Sequence, residues 1–289
     1  MSSDDSIETY KYYHYHPSVA GACVFAIIFG VSTVWHGVLI ARHKTRYFIP
    51  LLVGGIFEIV GYAARGVSSQ QPATKYTIAP YVIQTLLVLV APALFAASIY
   101  MVLGRIIVSV NAESYSMIRT KWLTKVFVTS DTVTFFVQLA AGAGLMSSQK
   151  ASTSKLGSHI VLAGLVLQIL IFAFFVGVSV VFHRQMRACP TTGSKDPSLP
   201  WKRFLTILYV TSAFIMVRSI VRVAEFVEGF HGTIIEHEVY LYVFDAVPMA
   251  AVMFVFNFCY PANISKRARK AAMDGEGFDS NVDLPEVTR

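Results

Sequence analysis

The 289-residue chain is 55% hydrophobic and 14% charged, with a mean hydropathy of +0.56 and a formal net charge of +7. That balance excludes an ordinary soluble domain and indicates a membrane protein. The positive charge does not mark a nucleic-acid binder, because lysine and arginine fall mostly in short gaps between apolar runs.

Taken in order, the chain opens on the acidic stretch MSSDDSIETY, without a basic region ahead of an apolar core. No cleavable signal peptide is expected, and the first apolar run serves as its own insertion signal. Crossing a hydrocarbon core of about 30 Å takes about 20 apolar residues in helix. Seven segments qualify, at 18–40, 48–66, 79–105, 122–146, 158–182, 204–228 and 239–260. The expected fold is therefore all-α: an extracellular segment 1–16, a polytopic seven-helix transmembrane bundle over 17–261, and a tail over 262–289, with no soluble domain attached. Pro50 and Pro80 sit near helix starts, Pro92 and Pro248 fall inside spans three and seven where a membrane tolerates a kink, and Pro261 ends the last span. Cys23, Cys189 and Cys259 are too scattered for a disulfide framework or metal cluster and read as packing residues.

Orientation follows from the loops. The gap after span one holds Arg42, Lys44 and Arg46; after span three come Arg105, Arg119 and Lys121; after span five come Arg184, Arg187, Lys195, Lys202 and Arg203. The tail adds Lys266, Arg267, Arg269, Lys270 and Arg289, whereas the opposite side offers Lys11, Lys75, Lys150 and Lys155. The N-terminus is expected outside and the C-terminus in the cytoplasm. The acceptor pattern NIS at Asn263 then lies on the cytoplasmic side and stays unmodified.

Charges inside the spans are the main functional sign. In RSIVRVAEFVEG, Arg218, Arg222 and Glu225 fall within an arc of about 60° on a helix, and Glu228 lies about 60° further round. Span two, GGIFEIVGYAARG, places Glu58, Tyr62 and Arg65 on one stripe; span four carries Asp131 and Gln138 seven apart; span seven carries Glu238 and Asp245 seven apart; span three offers Gln84. An ionised side chain at the bilayer centre costs about 2.5–3.5 kcal/mol on insertion scales, so these groups should converge on the bundle interior. The topology sets most of them in the outer half, with Glu58 and Asp131 deeper. They form a polar cavity for a substrate, or paired struts joining helix to helix.

Other features are weaker. The small-residue patches AAGAG and APALFAAS read as close helix contacts. His231 and His237, with Glu236 and Glu238, match no strong metal motif, and His36 and His43 read as interfacial at the end of span one. No metal, cofactor or catalytic residue is assigned.

The elements YHPS, EIVGYAAR, YVIQTLLVLVAPALFAASIYMVLGRII, SDTVTFFVQLAAGAGL, RSIVRVAEFVEG and EVYLYVFDAVPM, in this order at these spans, resemble the fungal RTA-like family, also called lipid-translocating exporters. The resemblance runs from about Tyr15 to Pro261. It implies a plasma-membrane fungal protein, not an enzyme, that moves amphipathic molecules such as sphingoid long-chain bases or phospholipids toward the outer leaflet and confers resistance; other members are tied to sterol drugs or porphyrins. The implied partners are membrane lipids and an amphipathic substrate, with no nucleic acid.

On this reading Glu58, Asp131, Glu225 and Asp245 receive a cationic amine, while Arg65, Arg218 and Arg222 hold the carboxylates ionised or meet a phosphate. No phosphate-binding G-x-x-x-x-G-K-[ST] occurs, so movement is passive or gradient-coupled. The main rival is a receptor-like lipid sensor. A zinc-dependent intramembrane hydrolase would need histidines within the spans, and a retinal protein a lysine in span seven, which 239–260 lacks.

Overall fold

The computed structural model describes residues 18–70, 78–116, 120–147, 151–191, 193–195, 200–228, 237–262 and 264. Seven long helices succeed one another: α1 Val19–His43, α2 Ile49–Ser69, α3 Ile78–Ser109, α4 Thr120–Ser147, α5 Ala151–Ala188, α6 Trp201–Glu228 and α7 Glu238–Phe258. No strand occurs among the described residues. All seven expected spans are present as helices, and among the described residues α1, α2, α3, α5, α6 and α7 are long and apolar enough to cross a membrane.

Helix α4 carries Thr129, Ser130, Asp131, Thr132 and Thr134 within its apolar run. Its hydroxyls are satisfied locally. Ser130, Thr132 and Thr134 donate to the carbonyls of Val126, Val128 and Ser130 at 2.8, 2.7 and 2.8 Å, so a polar sequence still forms a self-contained helix. Helix α5 departs most from expectation, extending well beyond 158–182 at both ends. Hydropathy measures the thickness of the hydrocarbon, whereas a helix of 38 residues reaches about 57 Å and carries His183, Arg184 and Arg187 past it.

Consecutive helices are neighbours round the bundle, α7 closes on α1, and α3 also touches α6 across the middle. Helix α3 is the central post: 61% of its apolar window is buried, against 22% for α1. Its approach to α2 depends on two glycines seven residues apart. A Cβ on Gly54 would lie 2.6 Å from the Phe95 ring, and one on Gly61 2.7 Å from Val88 Cγ2. The start of α2 is tied to the same post, since Pro50 has no N–H and the next free donor, Leu51 N, reaches Ser98 Oγ of α3 at 2.9 Å.

Two expectations are corrected here. His36 is not interfacial but fully buried: Nδ1 meets Asn257 Oδ1 of α7 at 2.7 Å, Asn257 Nδ2 donates to Ser32 Oγ at 2.8 Å, and the Phe48 and Tyr260 rings close around the imidazole. Proximity to a span end in sequence hid this, because the C-terminal turn of α1 is covered by the chain entering α2 and leaving α7. The cysteines are not packing residues either, since Cys23 and Cys189 are exposed and Cys259 only half-buried.

Replacing Gly61 with Leu is expected to destabilise the bundle by more than the 1–3 kcal/mol typical of overpacking, whereas Gly30, with no atom within 4 Å of an added Cβ, should accept Leu unchanged. Thermal melting of the two variants in detergent tests this; equal melting temperatures would contradict the close α2–α3 contact.

Candidate functional site

The expected intramembrane polar residues turn inward except Glu228, which is exposed at the end of α6, and the rest form three groups and not one. Glu58, Tyr62, Arg65, Gln84, Asp131, Gln138, Arg218 and Asp245 are buried, and Arg222, Glu225 and Glu238 are partly so. Lipid-facing positions on the same helices, such as Ile56, Val60, Val217 and Ile220, are apolar and exposed.

The first group joins the start of α7 to the ends of two other helices. Glu238 accepts from Arg65 Nη2 of α2 at 2.7 Å and from Tyr242 OH one turn on at 3.0 Å. The same carboxylate accepts from Ser18 N at 3.0 and 2.9 Å, ahead of the first turn of α1. Ser18 Oγ in turn caps Gly21 N at 3.2 Å. A carboxylate here also complements the positive end of the α1 dipole. Arg65 further lies 5.6 Å over the Tyr242 ring, which stacks on Phe25. A Cβ on Gly21 would meet that ring at 2.7 Å, so glycine is what lets α1 close on α7. This clasp fits the strut reading.

The second group lies deeper and is the candidate site. Asp245 pairs with Arg218 through Oδ1 and with Arg222 Nη2 at 3.6 Å, while Arg222 Nη1 reaches Glu225 at 3.0 Å. Two backbone irregularities build it. Pro92 of α3 has no N–H, which frees the carbonyl four residues earlier, and Arg218 Nη2 donates to that atom, Val88 O, at 2.6 Å. In α7, Tyr242–Ala246 is a π turn with Val247 N bonded to Tyr242 O, just ahead of Pro248. The extra residue rotates the remainder of the helix by about 100°. Glu238 and Asp245 therefore do not share the stripe that regular helix predicts: one meets Arg65 of α2, the other Arg218 of α6.

Glu58 of α2 faces this network. It lies within electrostatic reach of Asp245, Arg218 and Arg222, is 1% exposed, and no hydrogen-bond donor among the described residues reaches either carboxylate oxygen. Tyr62, one turn on, has a buried hydroxyl without a partner among the described residues and a ring stacked on Phe29. Gln84 lies on the same face of α3 as Val88, against Gly61.

The third group stands apart. Asp131 accepts from Tyr100 OH of α3 at 2.8 Å, amid the Phe127, Phe172 and Phe175 rings, and Gln138 packs over Gly164 of α5. The shared pocket expected for these two with the arginines is thus corrected: α4 packs on α3 and α5, too far round the bundle to present them to α7. A groove of about 640 Å³ along α4 and α5, lined by Lys125, Thr129, Ser130 and Leu167 among others, takes in none of the expected site residues. Sequence reasoning missed Ser18, Tyr100, Tyr242 and the Val88 carbonyl. Pro92 was the available sign for the last. His231 and Glu236 lie outside the described residues, and no metal-binding cluster occurs among those described.

Residues 51–268 match the family described as RTA1 like protein. The chain is 38% identical to protoporphyrin uptake protein 1 of Saccharomyces cerevisiae, over 89% of its own length and 93% of that protein's. It is 39% identical to protein RTM1 of the same yeast, over 88% and 94%. At 23% identity it is similar to the sphingoid long-chain base transporter RSB1 of Saccharomyces cerevisiae, over 85% and 72%. No solved structure matches the chain.

Removing a proline from a helix interior ordinarily gains about 3 kcal/mol. Here Pro92→Ala supplies an N–H that competes with Arg218 for Val88 O, so no rise in melting temperature is expected. A clear rise would show that the freed carbonyl does not hold Arg218.

Proposed function

The chain belongs to the RTA1-like family, and from that membership and the polar interior of its bundle we propose that it is a multi-pass transporter of amphipathic molecules, lipids first among them, in the plasma membrane. The observation that carries this is the network of Arg218, Arg222, Glu225, Asp245 and Glu58 within apolar helices. Leucines would join α6 to α7 without the cost of inserting ions. The retained charges fit a polar step for a head group whose tail remains in lipid.

Roles are set by surroundings. Arg65 and Glu238 clasp α1, α2 and α7, and Asp131 with Tyr100 ties α4 to α3. Arg222 and Glu225, 19% and 27% exposed, are the accessible edge of the network and the first contact for a head group. Arg218 and Asp245 are its fixed base. Lysine and arginine crowd the loops at the other end of the bundle, which supports an external N-terminus and a network in the outer half.

The name of the sphingoid-base relative supports a lipid amine as cargo. The porphyrin-uptake relative, with its higher identity and coverage, favours a second reading in which Arg222 meets a carboxylate of a flat apolar anion. Neither reading changes a covalent bond of the cargo, and both differ from a sensor, which binds without moving its ligand.

Purified protein in liposomes with tail-labelled phospholipid, lipid amine or porphyrin separates these cases. Arg222→Ala should slow movement at least about tenfold, the loss of one charge-assisted contact, with folding intact. Asp131→Asn should stay within about twofold, since an amide oxygen still accepts from Tyr100. Native protein that binds an amphiphile yet leaves its leaflet distribution unchanged would support sensing.

A further inference from the structure

The pairing of charges round the candidate site leaves one carboxyl over. Among the described residues, Arg65 has Glu238, Arg222 has Glu225 and Arg218 has Asp245. Glu58 has no arginine of its own and no donor on either oxygen, although it is almost wholly buried. Among the described residues the elements packed round it supply no further cation: α6 brings Arg218 and Arg222, already engaged, α7 brings Asp245, and Tyr62 belongs to α2 itself. Helix α3 presents its Gln84 and Val88 face to Gly61, and α1 sets the Phe25 and Phe29 rings against Tyr62.

Ionised, Glu58 leaves the interior with one uncompensated negative charge, which a low-dielectric setting penalises heavily. Two things cancel it: a proton on the carboxyl, or a cationic head group beside it. Each removes the need for the other. We propose that Glu58 makes this protein a proton exchanger, giving up one proton when a monocationic amphiphile enters and taking one back when it leaves.

The step balances. The O–H bond of the Glu58 carboxyl breaks, its proton passes to water on the side from which the cation came, and the carboxylate pairs with the incoming ammonium. On the opposite side a proton re-forms the O–H bond and the ammonium departs. One positive charge crosses each way and no net charge moves. A porphyrin dicarboxylate would add to the surplus charge.

The inference rests on the transporter reading, and its test separates the two. The protein is placed in liposomes with a long-chain quaternary ammonium amphiphile, labelled on its tail, which cannot shed a proton and so does not respond to a pH gradient unaided. Protein-free liposomes serve as control, and an internal dye reports proton flux. A gradient of one pH unit should shift the leaflet ratio by up to about tenfold, with protons moving opposite to the amphiphile. Glu58→Gln should abolish both the shift and the proton counterflow, and Glu58→Asp should retain them. A neutral N-acyl analogue should carry no proton.

Movement indifferent to the gradient, or a gradient response surviving in Glu58→Gln, overturns the exchange while leaving the transporter reading. Native protein that moves no amphiphile under any gradient removes both. If Glu58→Gln does not fold, the native result decides alone, since absence of either the shift or the counterflow refutes the proposal.

Discussion

The ion pair between Arg218 and Asp245 is the constraint on which the interior of this bundle depends. Each charge is expensive inside apolar helices, and each is tolerable because the other lies within reach, with the Val88 carbonyl accepting a further guanidinium N–H. Removing one partner alone leaves a buried ion without compensation, a loss of about 3–5 kcal/mol. The helices that supply these groups, α3, α6 and α7, are therefore held in one arrangement at this level.

Backbone irregularity supplies what regular helices cannot. A helix satisfies its own carbonyls and presents side chains on fixed stripes. Pro92 releases one carbonyl as an acceptor for a guanidinium, and the π turn of α7 turns Asp245 away from the direction of Glu238. Both defects face the same buried network. At one end of the same helices Glu238 clasps α1 to α7 through Ser18, and at the other His36 does so through Asn257. The irregular part of α7 thus lies between two fixed points, with Glu58 opposite it.

The fold was legible because insertion of apolar helices and the length they need leave a strong mark in composition. All seven spans were visible, and α5 overran its expected limits only because helix formation continues after the hydrocarbon ends. Inward orientation of the charges, Glu228 at the end of α6 excepted, was also legible from the cost of facing lipid. Their grouping was not. Residues seven apart share a stripe only while the helix is regular, so Asp245 was misassigned to the side of Glu238. Which neighbour receives a stripe depends on the order of helices round the bundle, and that order separates Asp131 and Gln138 from the arginines. His36 was misread because hydropathy places a residue in depth but says nothing of what covers it.

The claim that the buried network, and not the groove on α4 and α5, receives the amphiphile is tested most directly by photo-crosslinking. An amphiphile with a diazirine beside its head group, activated in liposomes containing the native protein and mapped by mass spectrometry, should label α2, α6 and α7 around Glu58, Glu225 and Asp245. Labelling confined to α4 and α5 around Lys125, Thr129 and Leu167 would contradict the account.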